Sequence, residues 1–180
     1  LRELGTRLKF LRAERRLTLE ELSKLSSVSR SMISKIERVE KSPTLSILVG
    51  LANGLGVNLS DLLGSKTNES EVSIIRVAER VVFKDQMNGF TREMLSPPHM
   101  SNGVEVLIHR IPPGQSSGLL PNYSVATEKY VMVYEGELTV QLDAKTFFVG
   151  KGDTMHFEVK SPYVFENRGD VTVSYYLVLV

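Results

Sequence analysis

TLEELSKLSSVSRSMISKIER, residues Thr18–Arg38, decides how the first third of this 180-residue chain is read. Thr18 and Glu21 have the spacing of a capping box, in which the Thr hydroxyl and the Glu carboxylate each take a backbone N–H left open at a helix start. A helix therefore begins just after Thr18, and Ser29 is placed to cap the next one. Leu22, Leu25, Val28, Ile33 and Ile36 have the spacing to bury the joint between the two. Arg30, Ser31, Ser34 and Lys35 then fall on the outward or leading face of the later helix, which ends in a cluster of positive charge. Two short helices joined by a tight turn, the second with such a face, suit the major groove of DNA.

The helical period extends on both sides of this stretch. Leu4, Leu8 and Leu11 recur at i, i+4, i+7, and Leu45, Leu48, Ala52 and Leu55 do the same later. Thr44, after Pro43, is placed to cap that later helix, and Gly56 stands just past its end, where φ is often positive. Ser60 can cap a short fifth helix ending near Leu63. From Gly64 to Ser73 (GSKTNESEVS) the chain is polar and aperiodic, the texture of a linker.

Beyond the linker the period becomes two, and Val, Ile, Phe and Tyr accumulate. Strands are expected at Val72–Val77, Arg80–Lys84, Phe90–Leu95, Val104–Ile111 and Glu128–Tyr134. Others are expected at Glu137–Leu142, Thr146–Val149, Thr154–Val159, Tyr163–Glu166 and Val171–Val180. Turn residues punctuate them, as at Pro112-Pro113-Gly114 and Gly150-Lys151-Gly152-Asp153. Many short strands with regular turns indicate a β-sandwich or barrel. The expected fold is multidomain, all-α followed by all-β: a five-helix domain over 1–64, a linker over 65–73 and a β-barrel over 74–180.

Charge divides along the same boundary. Residues 1–66 carry 12 Lys+Arg against 7 Asp+Glu, whereas residues 67–180 carry 10 against 14, inside a net charge of only +1. A basic front half suggests a polyanion partner for that half alone. Cysteine is absent, which excludes disulfides and thiolate chemistry. No apolar run approaches the ~20 residues that span a bilayer, and no signal-peptide pattern is present. The expected setting is the cytoplasm.

Arg and Lys donate to guanine O6 and N7, and Ser reaches several acceptors or a phosphate. Arg30, Ser31, Ser34 and Lys35 are the candidate base-reading residues. Arg38, Lys41, Ser42 and the backbone at Thr44 suit phosphate contacts that set register. The residues Leu17-Thr18, Leu22, Val28-Ser29, Ile33, Ile36-Glu37, Pro43 and Leu55–Leu63 (LGVNLSDLL) resemble the lambda-repressor-like helix-turn-helix of the Xre group over about residues 4–63. The resemblance implies that Ser29, Arg30, Ser31, Ser34 and Lys35 face the groove. Ser27 stands where a turn Gly is usual, a substitution small enough to fit, and Leu19 where a phosphate-binding Gln is frequent. The competing reading is a five-helix module used only for protein contacts.

The rear half resembles a cupin, a small jelly-roll barrel. The resemblance rests on PPG at Pro112–Gly114, YVMVYEGELTV at Tyr130–Val140, GKGDTMHF at Gly150–Phe157 and SPYVFEN at Ser161–Asn167. Cupins often hold a divalent metal on two His, a Glu and a further His. Aligned on Gly136 and Pro162, those positions fall at Tyr123 and Val125, or one residue earlier, and at Lys129 and Tyr163. All four ligands are therefore replaced, and no metal cofactor is expected. His99, His109 and His156 have no metal-ligand spacing, and His156 reads as an ordinary strand residue. If positions 123, 125, 129 and 163 point into the barrel, two phenols, a Val and an ammonium line a pocket for a small organic anion such as an amino acid or another carboxylate. The alternative is that Lys129 pairs with a neighbouring acid such as Glu128 or snorkels to solvent while both tyrosines are core. Tyr130–Tyr134 and Tyr175–Val180 are apolar on both faces, which favours a homodimer formed through the β half.

A helix-turn-helix followed by a cupin is similar to a group of bacterial small-molecule-responsive repressors. The resemblance implies a double-stranded, palindromic DNA operator, a small-molecule effector and no enzymatic activity. Two other readings stay open: a metal-dependent helix-turn-helix–cupin oxygenase, and an antitoxin or constitutive repressor whose barrel only dimerises.

Overall fold

The computed structural model describes residues 2–63, 74–97, 104–121 and 127–180. The chain divides into two compact units, Leu1–Ser65 and Lys66–Val180. The first is helical: α1 (Arg2–Glu14), α2 (Leu19–Ser26), α3 (Arg30–Glu37), α4 (Leu45–Leu55) and α5 (Leu59–Leu63). Its start signals are the ones the sequence carries. Thr18 and Glu21 form the complete capping box, the Ser29 hydroxyl accepts from Met32 N, and the Thr44 hydroxyl accepts from Ile47 N. Gly56 ends α4 with φ +65°, the left-handed conformation expected there. Helix α5 starts one residue before Ser60, with the Asn58 carbonyl accepting from Leu62 N, and Ser60 is buried within it.

Leu8, Leu22, Ile33, Leu48, Leu51 and Leu62 are fully buried at the centre of this unit. Leu25 departs from expectation, being 59% exposed. The buried position one turn beyond Leu22 is taken by Ser26, whose hydroxyl donates to Leu22 O at 2.6 Å and accepts from Val28 N. A small residue is needed there because α4 presents Gly50 and Gly54 to it. A Cβ on Gly54 would stand 2.8 Å from Ser26 Cβ, and one on Gly50 would stand 2.8 Å from Ser26 O. Helices α2 and α4 therefore meet backbone to backbone.

Among its described residues the second unit holds nine antiparallel strands: β1 (Val82–Lys84), β2 (Thr91–Met94), β3 (Glu105–Ile111), β4 (Glu128–Glu135), β5 (Leu138–Leu142), β6 (Lys145–Val149), β7 (Thr154–Glu158), β8 (Tyr163–Glu166) and β9 (Val173–Leu179). They form a six-stranded sheet in the order β1-β2-β3-β9-β4-β7 and a three-stranded sheet β6-β5-β8. The strand expected at Val72–Val77 is not formed by its described residues: 74–76 have no regular structure and Val77–Glu79 is a 3₁₀ turn. Ile74 and Val77 are exposed, so no buried face rewards pairing there.

Period-two alternation sorts the six-stranded sheet. Leu107, Ile111, Val131, Val133, Val173, Tyr175, Leu177 and Leu179 are buried, in a register that puts them on one face. The opposite face carries Tyr130, Met132, Tyr134, Tyr176 and Val178. Tyr134 and Tyr176 stack there with ring centroids 5.0 Å apart. Tyr130 and Tyr176 keep more than a third of their surface in solvent.

Candidate nucleic-acid interface and a charged barrel interior

Helix α3 is amphipathic by residue placement. Ile33 and Ile36 are buried, whereas Arg30, Ser31 and Lys35 are exposed and Ser34 is half-buried. Ser29 is exposed too, but its hydroxyl caps the helix. Lys41 is exposed beyond the helix end, and Thr44, half-buried, spends its hydroxyl on capping α4. Arg38 is exposed and forked onto Glu40, with Nε and Nη2 donating at 2.7 and 3.1 Å. Such a solvent-exposed pair is weak and screened by salt, so a phosphate can displace the carboxylate.

Two features that sequence reasoning missed fix this helix. Arg12 on α1 donates from Nε and Nη2 to the two Glu37 oxygens at 2.7 and 2.9 Å, and from Nη1 to Leu17 O at 2.8 Å. One side chain thus ties α1 to the end of α3 and to the loop before α2. The second feature is the end of α3 itself. Glu40 N donates to Lys35 O and Val39 N to Ile36 O, with Val39 at φ +62°. This is the backbone pattern in which a glycine usually sits, here strained by a β-branched side chain. Ser27 repeats the theme at the α2–α3 turn with φ +56°. The usual glycine there answers a left-handed backbone, not a shortage of room.

In the barrel, Lys129 on β4 is 1% exposed, and its ammonium lies 5.3 Å from the Tyr163 ring centroid. Two of the four expected pocket residues therefore come together; Tyr123 and Val125 lie outside the described residues. Lys129 does not snorkel, and Glu128 is not its partner. Glu128 is exposed and bound by His156 Nε2 at 3.0 Å and by the Tyr130 hydroxyl at 3.2 Å. His156 is accordingly a surface strand residue.

The interior holds further ionisable groups. Arg92 on β2, 2% exposed, donates from Nη2 to Glu105 of β3 at 3.0 Å. His109, opposite Arg92 in the β2–β3 register, lies beside Tyr175 of β9, with Nδ1 and the phenol oxygen 3.1 Å apart. Phe90, Phe165 and Tyr175 pack edge-on around the imidazole, at 4.9, 6.5 and 5.3 Å between centroids. Burial holds Lys129 well below the usual ammonium range, reinforced by Arg92 and opposed by Glu105. Burial likewise pushes His109 well below the usual imidazole range, aided by Arg92 and Lys129. The Tyr175 phenol is held protonated, its pKa raised well above normal by burial.

Two family models match the chain: helix-turn-helix over residues 8–62 and cupin domain over residues 107–179. The chain is 26% identical over 178 residues to the HTH-type transcriptional regulator SutR of Escherichia coli (strain K12), covering 99% of this chain and 94% of that protein. Among solved structures it is similar to an HTH_3 family transcriptional regulator from Vibrio cholerae, with a TM-score of 0.82 and 23% identity over 99% of this chain and 95% of that one. Hydroxypropylphosphonic acid epoxidase from S. wedmorenis shares the fold at a TM-score of 0.51 and 20% identity, over 98% of this chain and 96% of that one.

Proposed function

We propose that this chain, an Xre-like helix-turn-helix transcriptional regulator with a cupin domain, is a repressor that reads a palindromic operator through α3, pairs with a second copy through its barrel and changes DNA affinity when a small organic molecule occupies that barrel. The observation that carries the reading is the sorting of α3: Ile33 and Ile36 inward, Arg30, Ser31 and Lys35 outward. Basic and hydroxylic side chains on the exposed face of a short, braced helix are what base-edge recognition requires. Two copies suit half-sites one helical turn, roughly 34–36 Å, or a multiple apart. The half-exposed Tyr130, Met132, Tyr134 and Tyr176 face of the six-stranded sheet supports the second copy as its cover. Work on DNA suits the cytoplasm. No helix among the described residues is long and apolar enough to cross a membrane.

We further infer that the barrel is a sensor without a metal cofactor and without catalysis. An ammonium buried where the cupin pattern has its metal-binding carboxylate repels a divalent cation. Among the described residues, no three His, Asp or Glu side chains gather into a ligand set. The likeness to the epoxidase is one of fold, and fold does not carry chemistry with it. A ligand moves operator affinity only by the difference in its own affinity for the two states.

Selection of sites from a random DNA pool with the full chain tests the reading. It should return a palindrome, and Arg30→Ala or Lys35→Ala should lose about 1–3 kcal/mol of discrimination at one position of each half-site. Wild-type discrimination in both variants would remove α3 as the reader.

A further inference from the structure

A sheet edge must be paired, covered or guarded, because its outward amides otherwise offer a template to another strand. Among the described residues the two sheets end in β1, β7, β8 and β6. Strand β1 is short and ends on the exposed Lys84. Strand β7 exposes the polar residues Thr154, His156 and Glu158. Strand β8 is flanked by bridges from Ser116 and Leu120. Strand β6 (KTFFV) has no such guard beyond Lys145. Thr146, Phe147 and Phe148 are all exposed, Phe148 at 63%, and all three favour extended backbone. The hairpin fixes which of its amides face outward. Only Asp143 and Ala144 separate the paired Leu142 and Lys145, so that pair closes the turn and exchanges both backbone bonds. By alternation Phe147 and Val149 also turn their N–H and C=O to β5, opposite Val140 and Leu138. Thr146 and Phe148 turn theirs outward, where no described backbone group meets them.

We propose that β6 pairs antiparallel with β6 of a second copy, fusing two three-stranded sheets into one across a two-fold axis. In such a contact residue i of each chain meets residue j of the other. Outward amides meet outward amides with Thr146 on its twin, Phe148 on its twin, or Thr146 on Phe148. Charge chooses among these registers. Phe148 on its twin sets Lys145 opposite Lys151, a like-charge pair that opposes pairing. Thr146 on its twin sets Asp143 opposite Val149, which is apolar and buried. Thr146 on Phe148 sets Asp143 opposite Lys151 at both ends, and both side chains are exposed. That register also places Phe147 against Phe147 on the axis. Opposite charges and aromatic side chains facing across a ladder both favour it. This contact is separate from the one through Tyr130, Met132, Tyr134 and Tyr176, which lie on the six-stranded sheet. A chain that makes both contacts assembles past a dimer.

The chain contains no cysteine, so an introduced one reports the contact without background. Phe147→Cys in the full chain, oxidised in air with copper phenanthroline, should give a disulfide-linked dimer. The pair on the axis is a non-hydrogen-bonded one, with Cα atoms about 4.5 Å apart, within disulfide reach. Thr146→Cys and Phe148→Cys should each link poorly alone and link when mixed. Sedimentation tests the contact without thiols. The Thr146 N–H faces outward, so Thr146→Pro spares the β5 ladder; it should roughly halve the mass of the assembly and keep the wild-type ellipticity. A wild-type chain larger than a dimer that falls to a dimer supports both contacts. A wild-type dimer that falls to a monomer supports the β6 contact and removes the one through the tyrosine face. Absence of the Phe147→Cys link overturns the proposal, as does readier self-linking by Thr146→Cys or Phe148→Cys. A mass unchanged in a folded Thr146→Pro chain also overturns it, leaving the tyrosine face intact where that chain is still a dimer. Should Thr146→Pro not fold, the cysteine variants decide.

Discussion

Among the described residues, each half of the molecule draws an arginine–glutamate pair largely out of solvent, Arg12–Glu37 and Arg92–Glu105, and the two pairs are built differently. Arg12 and Glu37 meet through two parallel bonds, and Arg12 spends a third donor on Leu17 O. Arg92 donates from Nη2 to Glu105, while its Nε has no hydrogen-bond partner among the described residues and Lys129 also feels the Glu105 charge. The first pair is complete and holds three segments of chain in place. The second gathers two cations near one carboxylate inside the barrel and leaves Arg92 Nε without a hydrogen bond among the described residues. A fully satisfied pair organises structure, whereas an incompletely satisfied one is the costlier arrangement to keep.

The contrast is broken most severely by removing a partner from the complete pair. Arg12→Met strands the Glu37 carboxylate and should destabilise the helical unit by about 3 kcal/mol, read from urea unfolding followed by helical ellipticity. A loss below about 1 kcal/mol would mean that the pair contributes no more than a surface one. In the barrel the opposite sign is expected. Lys129→Met leaves Arg92 with Glu105 and should stabilise the ligand-free barrel by about 1–3 kcal/mol at neutral pH, because desolvating the ammonium outweighs what it gains.

The pH dependence follows from the same charges. Lys129 and His109 have folded pKa values below their ordinary values of 10.5 and 6.5, so between the folded and ordinary values the unfolded chain binds the extra proton. Stability of the barrel should therefore rise with pH through the window below 10.5 for Lys129. It should fall on acidification below about 6.5 as His109 is forced to charge. Lys129→Met should flatten the alkaline rise and leave the acid limb in place. The smallest effect belongs to the turn before α3. Ser27→Gly removes a left-handed penalty of about 1–2 kcal/mol and gives back about 0.4–1 kcal/mol through the freer unfolded chain, a gain of about 0.5 kcal/mol in a melting experiment. A lowered melting temperature would show that the serine side chain does more than tolerate the turn.

Most of the helical unit was legible in the sequence because its signals are local. Thr18–Glu21, Ser29, Thr44 and Gly56 act within four residues of themselves, and each acts in the structure as its spacing implies. Leu25 was misassigned because spacing alone cannot report the room between helices; Gly50 and Gly54 set that room from more than 20 residues away. Apart from the one expected at Val72–Val77, which its described residues do not form, the strands were placed to within two residues at each end by alternation and turns. The barrel's charged interior was only partly visible. Lys129 stood out through the cupin pattern, but Arg92, Glu105 and His109 did not. Glu105 and His109 share parity with the buried Leu107 and Ile111, yet Val106 and Ile108 make the other face of β3 apolar too, so alternation could not choose between faces. Arg92 alternates with Met94 on β2, and that was the signal available. Arg12 escaped notice because its partner lies 25 residues away on a different helix.

The contact of Ser26 with Gly50 and Gly54 has a mechanical consequence. Where two helices touch through backbone atoms, no side-chain rotamer is available to let one slide or tilt on the other. With Arg12 fastening the opposite end of the assembly, the DNA-reading unit behaves as a solid part. If a ligand in the other unit regulates this one, as proposed above, it would leave the shape of α3 unchanged and act on how that rigid helix meets DNA.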